Sequence, residues 1–141
     1  MQIGVLGATG PAGSGLAVRL ASAGFEVIVG SRSKYRALEV RDKLLERWPD
    51  RELNLEAGDN HEAAGAEVVF IATPWDAAAA TAKDCERELK GKVVISMANA
   101  LAKVGHEFQP LVPPRGSVAA SVQAAVPRSR AAGCPSGCLL S

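Results

Sequence analysis

Seven residues near the N-terminus, Gly7-Ala8-Thr9-Gly10-Pro11-Ala12-Gly13, form a glycine-rich turn that few folds can accommodate. It follows a short apolar run, Gln2 to Leu6, that stops at Gly7 and reads as a buried strand. Behind it, Leu16, Ala17, Leu20 and Ala21 recur at helical spacing from Ser14 to Ala23, and Gly24 closes the helix. Phe25 to Val29 then reads as a second strand. Each glycine of the turn has a physical task in such a strand–turn–helix–strand unit. Gly7 permits the tight turn off the strand, Gly10 lets a phosphate approach the backbone, and Gly13 lets the helix pack close to the sheet. Pro11 sits in the first helical turn, where its missing N–H costs nothing. The helix start offers free N–H groups to an anion. The spacing is GxxGxxG rather than GxGxxG, and an ordinary glycine-rich turn is the bland alternative to a nucleotide site.

The rest of the chain repeats the alternation. Lys34 to Trp48 is predicted as an amphipathic helix with Leu38, Leu44, Leu45 and Trp48 facing inward, ended by Pro49. Leu53 to Ala57 is a weak strand, Asp59 to Gly65 a short helix, and Glu67 to Thr73 the strongest strand signal. Asp76 is the expected N-cap of an Ala-rich helix from Ala77 to Leu89. Val93 to Ser96 is another strand, and Ser117 to Val126 a Ser-capped helix. Strands that are continuous apolar runs, alternating with helices, predict an α/β fold: a doubly wound parallel sheet covered on both faces. With aromatics at 4%, the core must be built mostly from Ala, Val and Leu.

Several function classes fall away on composition. A net charge of +1 gives no electrostatic case for nucleic acid or an anionic membrane. No apolar run approaches the roughly 18 residues of a membrane span, and no basic stretch precedes the first apolar segment as in a signal peptide. Three cysteines, Cys85, Cys134 and Cys138, do not form a disulfide framework, and no His completes a zinc site around the last two. No metal is expected, and a reducing cytoplasm fits. Tyr35 is the only tyrosine and is followed four residues later by Glu39, so the YxxxK dyad of short-chain dehydrogenases is absent. Neither a GxSxG elbow nor paired carboxylates at strand ends support hydrolysis.

The end of the second strand decides which nucleotide fits. A carboxylate there grips the ribose 2′-hydroxyl of NAD. Here the position falls in Gly30-Ser31-Arg32. Ser31 can donate a hydrogen bond, Arg32 can pair bidentately with a phosphate, and Arg36 lies one turn further on. Lys34 is a weaker candidate, and a solvated helix start is the bland alternative for the whole cluster. The residues therefore predict NADP(H) over NAD(H). Ligands of open α/β sheets lie outside the carboxyl ends of the strands. Thr73 and Pro74 should accordingly border the nicotinamide half, with Trp75 flanking an aromatic ligand or, alternatively, packing on the core as a helix-start staple. Ser96-Met97-Ala98-Asn99 should line the same crevice, with Asn99 as an amide donor.

The segments MQIGVLGATGPAGSGLAVRLASAGFEVIVGSRS, VVFIATPWDAA, KVVISMANAL and PPRGSVAASVQAAVP together resemble the NADPH-dependent coenzyme F420 reductases, continuously from Met1 to about Arg130. The resemblance implies a Rossmann-type NADP-binding domain over residues 1–130 and hydride transfer between NADP(H) and a deazaflavin co-substrate, coenzyme F420. No catalytic side chain is expected, because the cofactors carry the chemistry. It also implies that Thr9, Gly10, Pro11 and Ala12 cover the phosphates, that Ser31, Arg32 and Arg36 hold the 2′-phosphate, and that Thr73, Pro74 and Ala98 approach the nicotinamide. Trp75, Met97 and the Arg115-Gly116-Ser117 turn are deazaflavin candidates by position.

The chain departs from the family after Arg130. The family's further strand and its small domain closing over the deazaflavin are replaced by a short cysteine-containing segment, residues 131–141, expected to be a poorly ordered tail. That reads as a truncated or frame-shifted end, and it counts against the homodimer that such enzymes form through their C-terminal parts. Two alternatives stay open: an NADP(H)-binding module without catalysis, and another NADP-dependent reductase of the superfamily, such as a pyrroline-carboxylate or imine reductase.

Overall fold

A computed structural model describes residues 1–98, 101–111 and 115–133. The strand–turn–helix unit predicted at the start forms as β1 (Gln2–Leu6), α1 (Pro11–Ser22) and β2 (Glu26–Ser31). There follow α2 (Lys34–Arg47), β3 (Leu55–Asp59), α3 (Asn60–Ala64), β4 (Val68–Ile71), α4 (Ala78–Asp84), α5 (Glu86–Leu89) and β5 (Val93–Ser96). A hairpin of β6 (Leu101–Val104) and β7 (Glu107–Pro110) precedes α6 (Val118–Ala125) and β8 (Arg130–Gly133).

Six strands form one parallel sheet in the order β3-β2-β1-β4-β5-β8. The order reverses between β1 and β4, where Leu6 stands beside Ile71. At that switch point the connections leave toward opposite edges and open a crevice beyond the carboxyl ends of the strands. The alternation of side chains along each strand feeds two separate cores. Val5, Val27 and Val29 meet Ala17 and Ala21 of α1 and Ala37 of α2 on one face. Leu6, Ile28, Val69, Ile71 and Val94 meet residues of α3, α4, α5 and α6 on the other. Small side chains let helices lie close to a sheet that has few aromatics to fill wider gaps.

The structure corrects several local readings. In α2 the inward residues are Ala37, Val40 and Leu44, whereas Leu45 and Trp48 are exposed. Trp48 is instead covered by the guanidiniums of Arg47 and Arg51, at 5.7 and 4.9 Å from its ring centroid. Strand β3 starts two residues later than expected, because pairing with β2 sets Leu55 beside Val27 and Asp59 beside Ser31. Asp76 caps nothing: Ala77 is the N-cap of α4, held in a turn by its N–H on the Pro74 carbonyl at 3.0 Å. The Ala-rich helix breaks at buried Cys85, the C-cap of α4, whose N–H turns to the Ala82 carbonyl three residues back, at 3.1 Å, and to that of Lys83. The β6–β7 hairpin lies in a stretch for which the sequence pattern predicts no element. Regular structure continues past 130, since β8 pairs with β5 as far as Gly133. Asn99, Cys134 and Cys138 lie outside the described residues.

Candidate functional site

The crevice is walled from four directions, each fixed by local chemistry. The floor is the β1–α1 turn. Gly7 adopts φ +68°, a conformation open to glycine without strain, and a β-carbon on it would collide with the Thr73 side chain. Gly13 is pressed against the turn, since a β-carbon there would come within 2.7 Å of the Ala8 Cα. The Ala8 N–H donates to the Gly30 carbonyl at 2.9 Å, which ties the turn to the end of β2. Gly10 is the N-cap of α1, with no side-chain cap and Pro11 behind it. The first N–H groups of that helix thus have no side-chain acceptor among the described residues.

The second wall is the end of β2 and the start of α2. Ser31 is buried, and its hydroxyl oxygen accepts the Ser33 N–H at 3.3 Å. Arg32 and Arg36 are exposed and make no ion pair among the described residues. Lys34 is different, for its ammonium is bound by Glu62 at 3.1 Å. The third wall is the turn after β4, Thr73 and Pro74. The fourth is one side of α4, including Thr81 and Asp84.

Together these walls enclose a cavity of about 590 Å³, lined among others by Gly7, Thr9, Gly10, Ser31, Arg32, Arg36, Thr73 and Pro74. Of the residues singled out from sequence, those eight converge. Pro11 and Ala12 face solvent at the helix start, and Gly13 is buried beneath it. Met97 is buried, while Trp75 and Ala98 pack against the core on the α3–α6 face. Neither these three nor the Arg115–Ser117 turn lines the cavity. Ser117 serves as the cap of α6, its hydroxyl oxygen accepting the Ala120 N–H at 3.0 Å.

Sequence reasoning missed Asn60, Thr81 and Asp84. Among the described residues Asp84 is the one carboxylate on the cavity wall, and it makes no ion pair with either arginine. A smaller cavity of about 210 Å³ adjoins, sharing Ser31, Arg32, Asn60, Thr81 and Asp84 with the first. Cys85 borders it, and burial pushes its thiol up to about 11. Asn60 is the first residue of α3 and lies within the capping box that starts it. There the Asp59 carboxylate accepts the Glu62 N–H at 2.8 Å, and the Glu62 carboxylate accepts the Asp59 N–H at 3.2 Å. The Asp59-Asn60-His61-Glu62 pattern is legible as a cap, but nothing in it tells that Asn60 faces the crevice.

Three comparisons bear on this geometry. Residues 2–100 match the model of the family described as NADP oxidoreductase, coenzyme F420-dependent. The F420-dependent NADP reductase of Methanothermobacter marburgensis is 45% identical over 96 residues, which is 67% of this chain and 43% of that protein. The enzyme of the same name from Methanocaldococcus jannaschii is 38% identical over 135 residues, 92% of this chain and 60% of that protein. A solved structure from Arthrobacter sp. FB24, provisionally designated an F420-dependent NADP reductase, superposes with a TM-score of 0.70 at 28% identity, covering 90% of this chain and 59% of the other. The chain thus spans less than two thirds of each of these relatives. No helix among the described residues is long and apolar enough to cross a membrane.

Proposed function

This chain belongs to the coenzyme F420-dependent NADP oxidoreductase family, and from that premise we propose that its crevice binds NADP(H) for hydride exchange with the deazaflavin F420. One observation carries the nucleotide reading. The phosphate-type turn opens into the same cavity as Ser31, Arg32 and Arg36, and neither guanidinium is neutralised by a carboxylate among the described residues. Two cations unpaired among the described residues, just past β2 and in the first turn of α2, suit a 2′-phosphate and would be wasted on a 2′-hydroxyl.

The cradle also fits the pyrophosphate. A β-carbon placed on Gly10 would meet nothing within 4 Å, so the backbone there is open to close approach. Residues 9 and 10 with the first N–H groups of α1 hold the diphosphate, Ser31, Arg32 and Arg36 hold the 2′-phosphate, and Thr73 with Pro74 borders the nicotinamide side. The chemistry supplied when both cofactors are bound is hydride transfer between two ring carbons, for which the protein provides orientation rather than a proton-transfer group. We assign the protein to the cytoplasm, a reading supported by its sparse cysteines and the buried free thiol of Cys85.

The test is direct. Purified protein is titrated with NADPH and NADH, then mixed with NADPH and oxidised deazaflavin while the deazaflavin absorbance is followed. Tighter binding of NADPH and loss of that absorbance are expected. Equal affinity for the two nucleotides overturns the 2′-phosphate assignment, and NADPH binding without turnover limits this chain to a cofactor-binding role.

A further inference from the structure

We infer that Asn60 is a specificity-determining residue of the nucleotide site: its carboxamide locks the phosphate-binding turn with one end and reads the ribose 2′-substituent with the other. This rests on the NADP(H) reading above. The Gly7 N–H donates to Asn60 Oδ1 at 3.2 Å, across 53 residues of sequence. An N–H cannot accept, so this bond fixes the orientation of the amide. Its oxygen turns to Gly7 and its Nδ2 turns away.

The Nδ2 group has no protein acceptor among the described residues, yet it is not sealed off as an unsatisfied buried atom. Asn60 is otherwise nearly buried, at 9% exposure, and its remaining surface lines both adjoining cavities. The sheet register says what lies there. Ser31 pairs with Asp59, so Asn60 directly follows the neighbour of Ser31 at the carboxyl ends of β2 and β3. Both cavities that Asn60 lines also contain Ser31 and Arg32. The end of β2 is where the 2′-position of a bound adenosine ribose falls in this fold. A two-hydrogen donor at that point complements a phosphate, and the same amide withholds the Gly7 N–H from the ligand.

The isosteric substitution Asn60→Asp separates the two ends. A carboxylate still accepts from Gly7, so the turn stays locked, but the donors become a negative charge facing the 2′-position. Dissociation constants for NADPH and NADH, measured on the full chain, are expected to show the NADPH preference falling about tenfold or more, with NADH binding retained. Asn60→Ala removes both ends and is expected to weaken both nucleotides. A wild-type measurement needs no variant. The Asn60 side-chain amide signal in a nitrogen-15 spectrum should shift on adding adenosine 2′,5′-bisphosphate and stay in place with adenosine 5′-monophosphate. An unchanged preference in Asn60→Asp, or equal shifts with both probes, overturns the assignment of Asn60. A wild-type protein with no preference for NADPH overturns the underlying nucleotide reading instead.

Discussion

The Thr73 side chain occupies the space a β-carbon on Gly7 would need: its Cγ2 lies 2.6 Å from that position, and the Thr73 backbone N lies 3.2 Å away. The first residue past β1 and the second past β4 are thus packed against each other at the switch point of the sheet. Gly7→Ala meets this contact while forcing an alanine to φ +68°. The two effects together are expected to cost about 2–4 kcal/mol, read by denaturant unfolding. A loss under about 0.5 kcal/mol, the range of an ordinary surface change, would show the turn to be looser than described.

Gly10 gives the opposite pairing of effects. Its φ of −82° suits any residue and its β-position is empty. Gly10→Ala should therefore unfold within about 0.5 kcal/mol of the parent. Nucleotide binding should nonetheless fall steeply, because the methyl group occupies the path of the pyrophosphate. Intact binding in the folded variant would move the phosphates elsewhere.

Arg32 has no ion-pair partner among the described residues, so its removal should leave stability nearly unchanged. Arg32→Ala is expected to weaken NADPH by about 1.5–3 kcal/mol, the worth of a charge-assisted hydrogen bond, and to change NADH little. Lys34→Ala should have a much smaller effect on either nucleotide, since Glu62 already holds that ammonium. Calorimetric titration of the two variants side by side decides between the cations.

Cys85 supplies a pH-dependent prediction. Its pKa is raised from 9.0 to about 11 by burial first and by the nearby Glu88, Asp84 and Asp59 carboxylates second. Below pH 9 the thiol is protonated in both folded and unfolded chains, and its contribution to stability is fully present. As pH rises through 9 toward 11 the unfolded chain loses the proton first, so stability falls, by about 2–3 kcal/mol in all. Cys85→Ala should lack that component of the alkaline slope. Rapid alkylation of Cys85 in the native protein at pH 8 would contradict the burial.

The capping box at α3 joins fold to site. Asp59→Ala should cost about 1 kcal/mol, and it should also loosen Asn60, the next residue, and with it the bond to Gly7. Asp59→Asn, which keeps an acceptor for the Glu62 N–H, should restore most of both losses in thermal unfolding and NADPH titration.

Much of this was legible locally. The buried strand before Gly7, the helix behind Pro11, and the run Val93–Ser96 are encoded by neighbouring residues, and they form as read. The Ser117 cap and the short helix after Asp59 follow from side chains that bond to backbone three residues away. Misreadings arise where a distant contact overrides a local pattern. Trp48 looks like core by spacing but is satisfied by two arginines at the surface. Asp76 looks like a cap but sits in a turn closed by Pro74 and Ala77. Trp75 could be assigned to ligand or core from sequence, and its packing places it against the core.

Short-range pattern is enough for the class of fold and the kinds of donor available: a glycine turn between strand and helix, and a serine and arginines where a carboxylate would favour NAD. Those are properties of residues within a turn or two of one another. Which cations stay unpaired among the described residues depends on long-range packing, through the Lys34–Glu62 pair 28 residues apart, as does the way an amide faces, through the Asn60–Gly7 bond across 53. Such contacts depend on the register of parallel strands joined by helical crossovers, and register is settled by packing over the whole sheet rather than by any short stretch of chain.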